Sequence, residues 1–484
     1  MERTNVFRKT SFYIDGQWQE PLAGKDYSVI DPAMETAFAM ISLGGDVDVD
    51  RAVVAAARAF TVWQESARYE RIELLERLLA IYTQRMDEMA QTISREMGAP
   101  MTLASGPQVQ IARRHIRAMI DVLKDYQFDH PLRADAPNDR ILHQPIGVCG
   151  LITPWNWPMN QIAQKVAAAL AAGCTIVLKP SELAPLSAML FAEMIDEAGF
   201  PAGVFNLVNG DGPGVGHAIA RHPTIRMVSL TGSGRAGEAV MLAAAPTFKR
   251  VVLELGGKGA NIIFGDSGIA ESVRRGTLQC FNNTGQSCNA PTRMLVERSY
   301  YDEAVAVAAE TARSVTVGPP SEEGGHLGPL ASGRQFDIVQ DYIKSGIAAG
   351  ARLVAGGVGR PEGVKRGFYA RPTVFADVTP DMRIAREEIF GPVLSIMSFD
   401  DEDQAVALAN ANDLGLANYI QTADQTRAER LARRLESGVV VLNGATRAPG
   451  SPFGGMKHSG NGREGGRWGL EEFLEVKAVS GWSS

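Results

Sequence analysis

Cysteine is scarce: Cys149, Cys174, Cys280 and Cys288 are the only four in 484 residues. So few thiols cannot staple a chain of this length, which points to an apolar core and a reducing compartment. Nor do they fall at zinc spacing, since Cys280 and Cys288 stand eight apart with no second pair, and no metal is expected. Long hydrophobic runs are missing as well. The longest mainly apolar stretch, Val166 to Leu178, is too short for a membrane span and is broken by Gly173 and Thr175. The stretch Met1 to Asp15 is polar and charged, without the apolar segment of a signal peptide. Charge of one sign is in small excess, a net −7 spread over both signs, and no basic patch is interleaved with aromatics. Neither nucleic acid nor an anionic membrane is therefore an expected partner. What remains is the composition of a soluble, cytoplasmic globular protein with about three domains, at ~150 residues each.

Apolar periodicity organises the chain. Residues 10–19 alternate around Asp15-Gly16 and predict a hairpin. Helical periods follow over Asp46–Phe60, Tyr69–Met97 and Pro107–Lys124. Tyr126–Pro145 carries two prolines and a turn, and reads as a protruding two-stranded arm. From Ile146 short apolar strands alternate with helices, the strands being Ile146–Ile152, Cys174–Lys179, Val204–Val208, Arg226–Thr231 and Arg250–Glu254. A second alternating block begins near Asn261, with strands at Ile262–Phe264, Arg293–Val296, Val393–Phe399, Ala417–Gln421 and Val439–Asn443. The pattern predicts an α/β protein with parallel sheets covered on both faces and ligands at the strands' C-terminal ends.

Chemistry concentrates around Cys288. It closes the polar run Asn282-Asn283-Thr284-Gly285-Gln286-Ser287, while Glu254 opens Glu254-Leu255-Gly256-Gly257-Lys258 upstream. A thiol attacks as its thiolate and needs a proton acceptor or an electropositive setting. None of the seven histidines lies near either segment, which leaves a carboxylate as the base. Gly232-Ser233-Gly234-Arg235-Ala236-Gly237 matches the dinucleotide pattern after a strand, with Glu254 where a ribose-binding acid would stand. Gly460 to Gly465 matches it too, without that context, so the pattern alone is weak.

With Thr153-Pro154-Trp155-Asn156-Trp157-Pro158, Lys179-Pro180-Ser181-Glu182, Glu387-Glu388-Ile389-Phe390-Gly391-Pro392 and Pro452-Phe453-Gly454-Gly455, the chain resembles the aldehyde dehydrogenase superfamily over nearly its whole length. The resemblance implies a Rossmann-like cofactor domain (1–123 and 146–256), an α/β catalytic domain (257–469) and an oligomerisation β-arm (124–145 and 470–484). The arm and the C-terminal strand, as in the family, are expected to pair with a neighbouring subunit of a dimer or tetramer. It implies oxidation of an aldehyde, with Cys288 as nucleophile, Glu254 as base of thioester hydrolysis, Asn156 as oxyanion donor and Lys179 assisting. Ile152, Trp155, Lys179, Ser181, Glu182, Gly212, Gly232, Ser233, Leu255, Glu388 and Phe390 would hold the cofactor. NAD is favoured over NADP, because the Glu182 carboxylate repels a 2′-phosphate. Trp157, Asn160, Gln164, Asn289 and Phe453 would line the substrate funnel, with Arg447 at its mouth, which suggests a medium-sized aromatic or polar-substituted aldehyde. A thioester-to-coenzyme A variant and a non-catalytic structural homologue are the alternatives, disfavoured by the intact Glu254, Cys288 and Asn156.

Overall fold

Two sheets carry the fold, and each is covered by helices on both faces. The computed structural model describes residues 6–482; the first five and last two residues of the terminal segments read above lie outside them. The first sheet has the order Gly460–Asn461, Arg250–Glu254, Ile225–Thr231, Val148–Ile152, Thr175–Lys179, Phe205–Leu207, Phe12–Ile14, Gln17–Gln19. Its five central strands are parallel, as the alternation predicts, and the expected hairpin adds two antiparallel strands at one edge. Asp15 and Gly16 both take positive φ, the geometry of a tight primed turn. Strand order reverses between Val148–Ile152 and Ile225–Thr231, the switch point at which open α/β sheets bind ligands.

The second sheet runs Arg352–Ala355, Thr373–Ala376, Val393–Phe399, Arg293–Glu297, Ala260–Ile263, Ala417–Gln421, Val439–Leu442, parallel except at its first strand. Arg352–Ala355 and Thr373–Ala376 escape sequence reading because each is only four residues long. The antiparallel pair Lys25–Asp31 and Thr36–Leu43 also escapes, since its first strand is largely exposed and lacks apolar alternation.

Other boundaries differ for identifiable reasons. The single helix expected over Tyr69–Met97 is two, Arg68–Gln84 and Met86–Met97, broken at Arg85, whose guanidinium reaches Glu88 and, at 3.0 Å, Glu193. Pro107 does not open its helix. It sits in a wide turn, Ala104–Gln108, kinked at Gly106, and the regular helix is Val109–Asp125. The arm is Asp129–Arg133 and Ala136–Pro145. The C-terminal strand Leu474–Ser480 pairs with this chain's own arm, Leu474 opposite Pro145 through Ser480 opposite Asp139. A two-stranded ribbon is marginal in water, and the third strand removes that weakness within the subunit.

Helix Pro158–Ala172 is buried on nearly all sides, and its alanines let it lie close between the sheet and helix Val109–Asp125. Proline at its first turn fits a position whose N–H has no partner inside the helix. Helix Leu186–Ala198 is held from a distance. The buried Glu96 accepts the backbone N–H groups of Leu186 at 2.6 Å and Ser187 at 3.1 Å, capping that helix from another one. Glu96→Ala strands both donors and is expected to lower unfolding stability by about 2–4 kcal/mol. Urea unfolding at pH 8 measures this, above the pH of about 7 to which burial lifts the carboxyl. Glu96→Gln, which keeps one acceptor, should lose less, and an unchanged midpoint for the alanine variant would show that the donors find other acceptors.

Candidate active site

The loop carrying Cys288 is strained and pinned. Asn283, Thr284 and Gly285 adopt positive φ in succession, which for Asn and the β-branched Thr costs about 1–3 kcal/mol each. Buried hydrogen bonds hold the loop in place. Asn283 Nδ2 donates to Asn156 O at 2.9 Å, Thr284 Oγ1 to Gly328 O at 3.0 Å, and Ala331 N to Gln286 Oε1 at 2.9 Å. The thiol at the loop's end is partly open to a cavity although protein closes around it. Burial raises its pKa well above the usual thiol range, helped by Glu388 and Glu254, while the backbone N–H groups of Cys288 and Asn289 pull the other way.

Glu254 ends its strand almost fully buried, and neither carboxylate oxygen has a hydrogen-bond partner. Burial, then the nearby Glu464, raises its pKa well above the ordinary carboxylate value, while Lys165 and Arg463 oppose the rise. Lys165 is the one charged residue of the buried helix Pro158–Ala172. It pairs with Glu464 and donates to Ser229 Oγ at 2.8 Å. The segment from Ser459 brings Glu464 there: Leu255 N donates to Ser459 O at 3.0 Å, and Gly460–Asn461 pairs with Leu253–Glu254. The unpartnered carboxylate lines the same cavity as the Cys288 thiol.

The two glycines after Leu255 are dictated by close approach. A Cβ on Gly256 would fall 2.0 Å from Glu388 Oε2, and one on Gly257 would fall 2.3 Å from Cys288 O. Glu388 accepts Gly257 N at 3.1 Å, and burial lifts its pKa to about 7. Phe390, itself at positive φ, meets Trp155 edge-on at 5.5 Å.

Two cavities meet at Cys288. One, of about 370 Å³, is lined by Trp155, Asn156, Gly232, Ser233, Glu254, Leu255, Glu388 and Phe390, all named from sequence. The other, of about 260 Å³, is lined by Trp157, Asn160, Gln164, Asn289, Arg447 and Phe453, again as expected. Asn156 Nδ2 donates to Gln286 O at 2.9 Å, which fixes the amide and leaves a second N–H. The structure does not bring Ile152, Lys179, Ser181, Glu182 or Gly212 to the thiol. They gather one strand further along the sheet, where Lys179 Nζ donates to Pro180 O and Gly210 O, at 2.8 and 2.7 Å, and lies 3.6 Å from Glu182. Open space lies beside both clusters. A Cβ at Gly212 or Gly234 would meet nothing within 4 Å, and helix Gly234–Ala244 directs its N-terminus there.

Sequence reasoning missed Gln161, which lines both cavities, and His115, Gln279 and Tyr419 in the second. None belongs to a motif, and each reaches the site through tertiary packing. Lys165 left a usable signal, a charge in an otherwise apolar helix.

A model of the aldehyde dehydrogenase family matches residues 18–479. The chain is 51% identical over 472 residues to a 3-succinoylsemialdehyde-pyridine dehydrogenase of Pseudomonas sp., covering 97% of this chain and 98% of that protein. The solved aldehyde dehydrogenase of Bartonella henselae is 53% identical with a TM-score of 0.97, over 99% of this chain and all of the other. Aldehyde dehydrogenase C of Pseudomonas syringae, solved as a mutant with NAD+ and octanal, is 50% identical with a TM-score of 0.96, over 98% and 97% of the two chains. The chain belongs to the aldehyde dehydrogenase family, as the motifs indicated, and shares its α/β fold. It is an aldehyde-oxidising enzyme. Among the described residues no helix is long and apolar enough to cross a membrane.

Lys258, the last residue of the Glu254 segment, is buried with its amine unpartnered. Burial, with the neighbouring Arg293, lowers its pKa to about 7 from 10.5. Between those values the unfolded chain holds the proton that the folded chain has released, so this group's contribution to stability rises with pH. Lys258→Met removes the effect: its stabilisation relative to the parent should be largest at pH 7 or below and fade by pH 10. Urea midpoints at pH 6 and pH 10 test this, and an equal difference at both would refute it.

Proposed function

We propose that this protein oxidises an aldehyde to the carboxylic acid with NAD+, through an acyl-enzyme on Cys288 that water hydrolyses. The observation that carries the reading is the meeting of two cavities at one thiol, with an unpartnered carboxylate in the wall of the first. Burial, joined by Glu388 and Glu254, raises the pKa of the thiol, so its ionisation needs a proton acceptor, and the raised proton affinity of Glu254 suits that task. Cys288 Sγ adds to the aldehyde carbon, and the oxygen, now anionic, is stabilised by the free N–H of Asn156 and the backbone N–H of Cys288. A donor of this kind is worth ~10²–10³ in rate. NAD+, when bound, accepts the hydride from that carbon, and its pyridinium charge favours the thiolate. Glu254 passes the thiol's proton to solvent, then takes one from the water that adds to the thioester, and returns it to the sulfur as the acid leaves.

Glu182, Lys179 and Ser181 would hold the adenosine ribose, with Gly212 and Ile152 toward the adenine side. Gly232 and Ser233 would hold the pyrophosphate at the helix N-terminus, and Glu388, Phe390, Trp155 and Leu255 the nicotinamide half. The Glu182 carboxylate favours a free ribose diol over a 2′-phosphate. In this reading Lys179 positions the cofactor and does not touch the reacting carbon. The chain divides into a cofactor domain (1–123 and 146–256), a catalytic domain (257–469) and an arm (124–145 and 470–484), and it works in the cytoplasm. The aldehyde is of medium size, aromatic or bearing a polar group. What supports that is an outer cavity edged with amides, together with the pyridine-bearing aldehyde named for one relative, while the octanal of another bears only on size.

We propose further that the protein is a homo-oligomer, dimer or tetramer. The three-stranded arm leaves both sheet edges open, and Leu242 and Phe248 are large apolar side chains left 70% and 96% exposed. Light scattering should give a mass of two or four chains at micromolar concentration; a monomer mass would reject the assembly. Cys288→Ala should abolish turnover. Glu254→Gln should release about one NADH per site, more slowly than the parent because the thiol loses its proton acceptor, and then stall because hydrolysis has lost its base. If Glu254→Gln kept steady turnover but lost NAD+ affinity, Glu254 would be a ribose ligand and the mechanism would be wrong.

A further inference from the structure

The outer cavity is one-sided in charge: Arg447 lines it, and no Asp or Glu does. Two of the cavity's donors are already engaged. Trp157 Nε1 donates to Ser287 Oγ at 2.8 Å, and Tyr419 OH to Asn289 O at 2.7 Å. Arg447 and Asn160 are not. The Arg447 guanidinium lies over the Phe453 ring, 4.8 Å from its centroid, and forms no ion pair or hydrogen bond among the described residues. Stacking of this kind holds the guanidinium by its face and leaves its edge N–H groups free for an acceptor. Asn160 is oriented by a partner. His115 Nε2 meets its Oδ1 at 2.7 Å, and burial lowers the His115 pKa, so the ring is neutral at pH 7. A neutral ring bonding to a carbonyl oxygen carries its hydrogen on Nε2, which leaves both hydrogens of Asn160 Nδ2 for another acceptor.

We propose that Arg447 and the Asn160 amide, the latter aimed by His115, form a recognition point for a hydrogen-bond acceptor at the far end of the substrate, a ketone or carboxylate oxygen. The inference rests on the reading of Cys288 as nucleophile and of this cavity as the aldehyde's place. It selects acceptor-bearing aldehydes over plain alkyl ones and disfavours a cationic tail, because the only charge in the wall is positive. His115 is a positioning residue and acts through Asn160.

The test is kcat/KM of the full-length enzyme for octanal, its ω-carboxylate analogue, 3-succinoylsemialdehyde-pyridine and an ω-trimethylammonio aldehyde, each expressed relative to octanal. The carboxylate or the ketone should exceed octanal by about 10–100-fold, the range expected for a hydrogen bond to a charged group, and the cation should fall below it. Arg447→Met should shrink that ratio at least tenfold, mainly through KM. His115→Ala should shrink it less, and His115→Gln, which can still donate to Asn160, should restore it. Unfolding midpoints establish that each variant is folded. A parent ratio of one or less, or a ratio unmoved by Arg447→Met, overturns the proposal while leaving the dehydrogenase reading intact. No NADH from any aldehyde overturns that reading itself, and this one with it.

Discussion

A buried carboxylate without a hydrogen-bond partner is the constraint on which the rest of the site depends. Glu254 can stay dry and unpaired only because the surrounding structure fixes it from several sides. Its strand sits at the end of five parallel strands, the returning segment at Gly460–Asn461 clamps the backbone, and the Lys165–Glu464 pair sets the field beside it. Such an arrangement trades stability for proton affinity, since an ordinary surface carboxylate would be too weak a base to serve a thiol or a water.

The same segment also sets the spacing of the two halves of the molecule. Gly256 and Gly257 have no side chain, so Glu388 and the Cys288 loop, both from the second alternating block, can reach the edge of the first sheet. The site is therefore a seam between two sheet systems. The Cys288 thiol comes from one and the Glu254 carboxylate from the other, and the thiol follows directly on the strained turn at Asn283–Gly285. Strain there is tolerated because Asn283 Nδ2 donates to Gln286 O and Gln286 Nε2 to Asn283 O, and the same two amides tie the turn to Asn156 O and Ala331 N.

The fold was largely legible because short apolar strands alternating with helices leave a periodic trace, and because parallel strands buried on both faces read as continuous apolar runs. The elements that escaped were short or half-exposed, such as Thr373–Ala376 and Lys25–Asp31, where no period can build up. The break at Arg85 escaped because its cause, the ion pairs to Glu193 and Glu197, lies more than a hundred residues away.

The sequence by itself determined the chemistry-bearing residues. Cys288, Glu254, Asn156 and Glu388 lie in local motifs whose glycines and polar neighbours are adjacent in the chain. Tertiary structure alone decided their electrostatics and their company. It buried Glu254 and Lys258 without partners, and it placed Lys179 with Glu182 at a distance from the thiol. It turned His115 onto Asn160, and it folded the C-terminal strand onto its own arm. The physical reason is range. Turn chemistry and apolar period act within a few residues, whereas burial, pairing and field depend on groups that meet only when the chain has closed on itself.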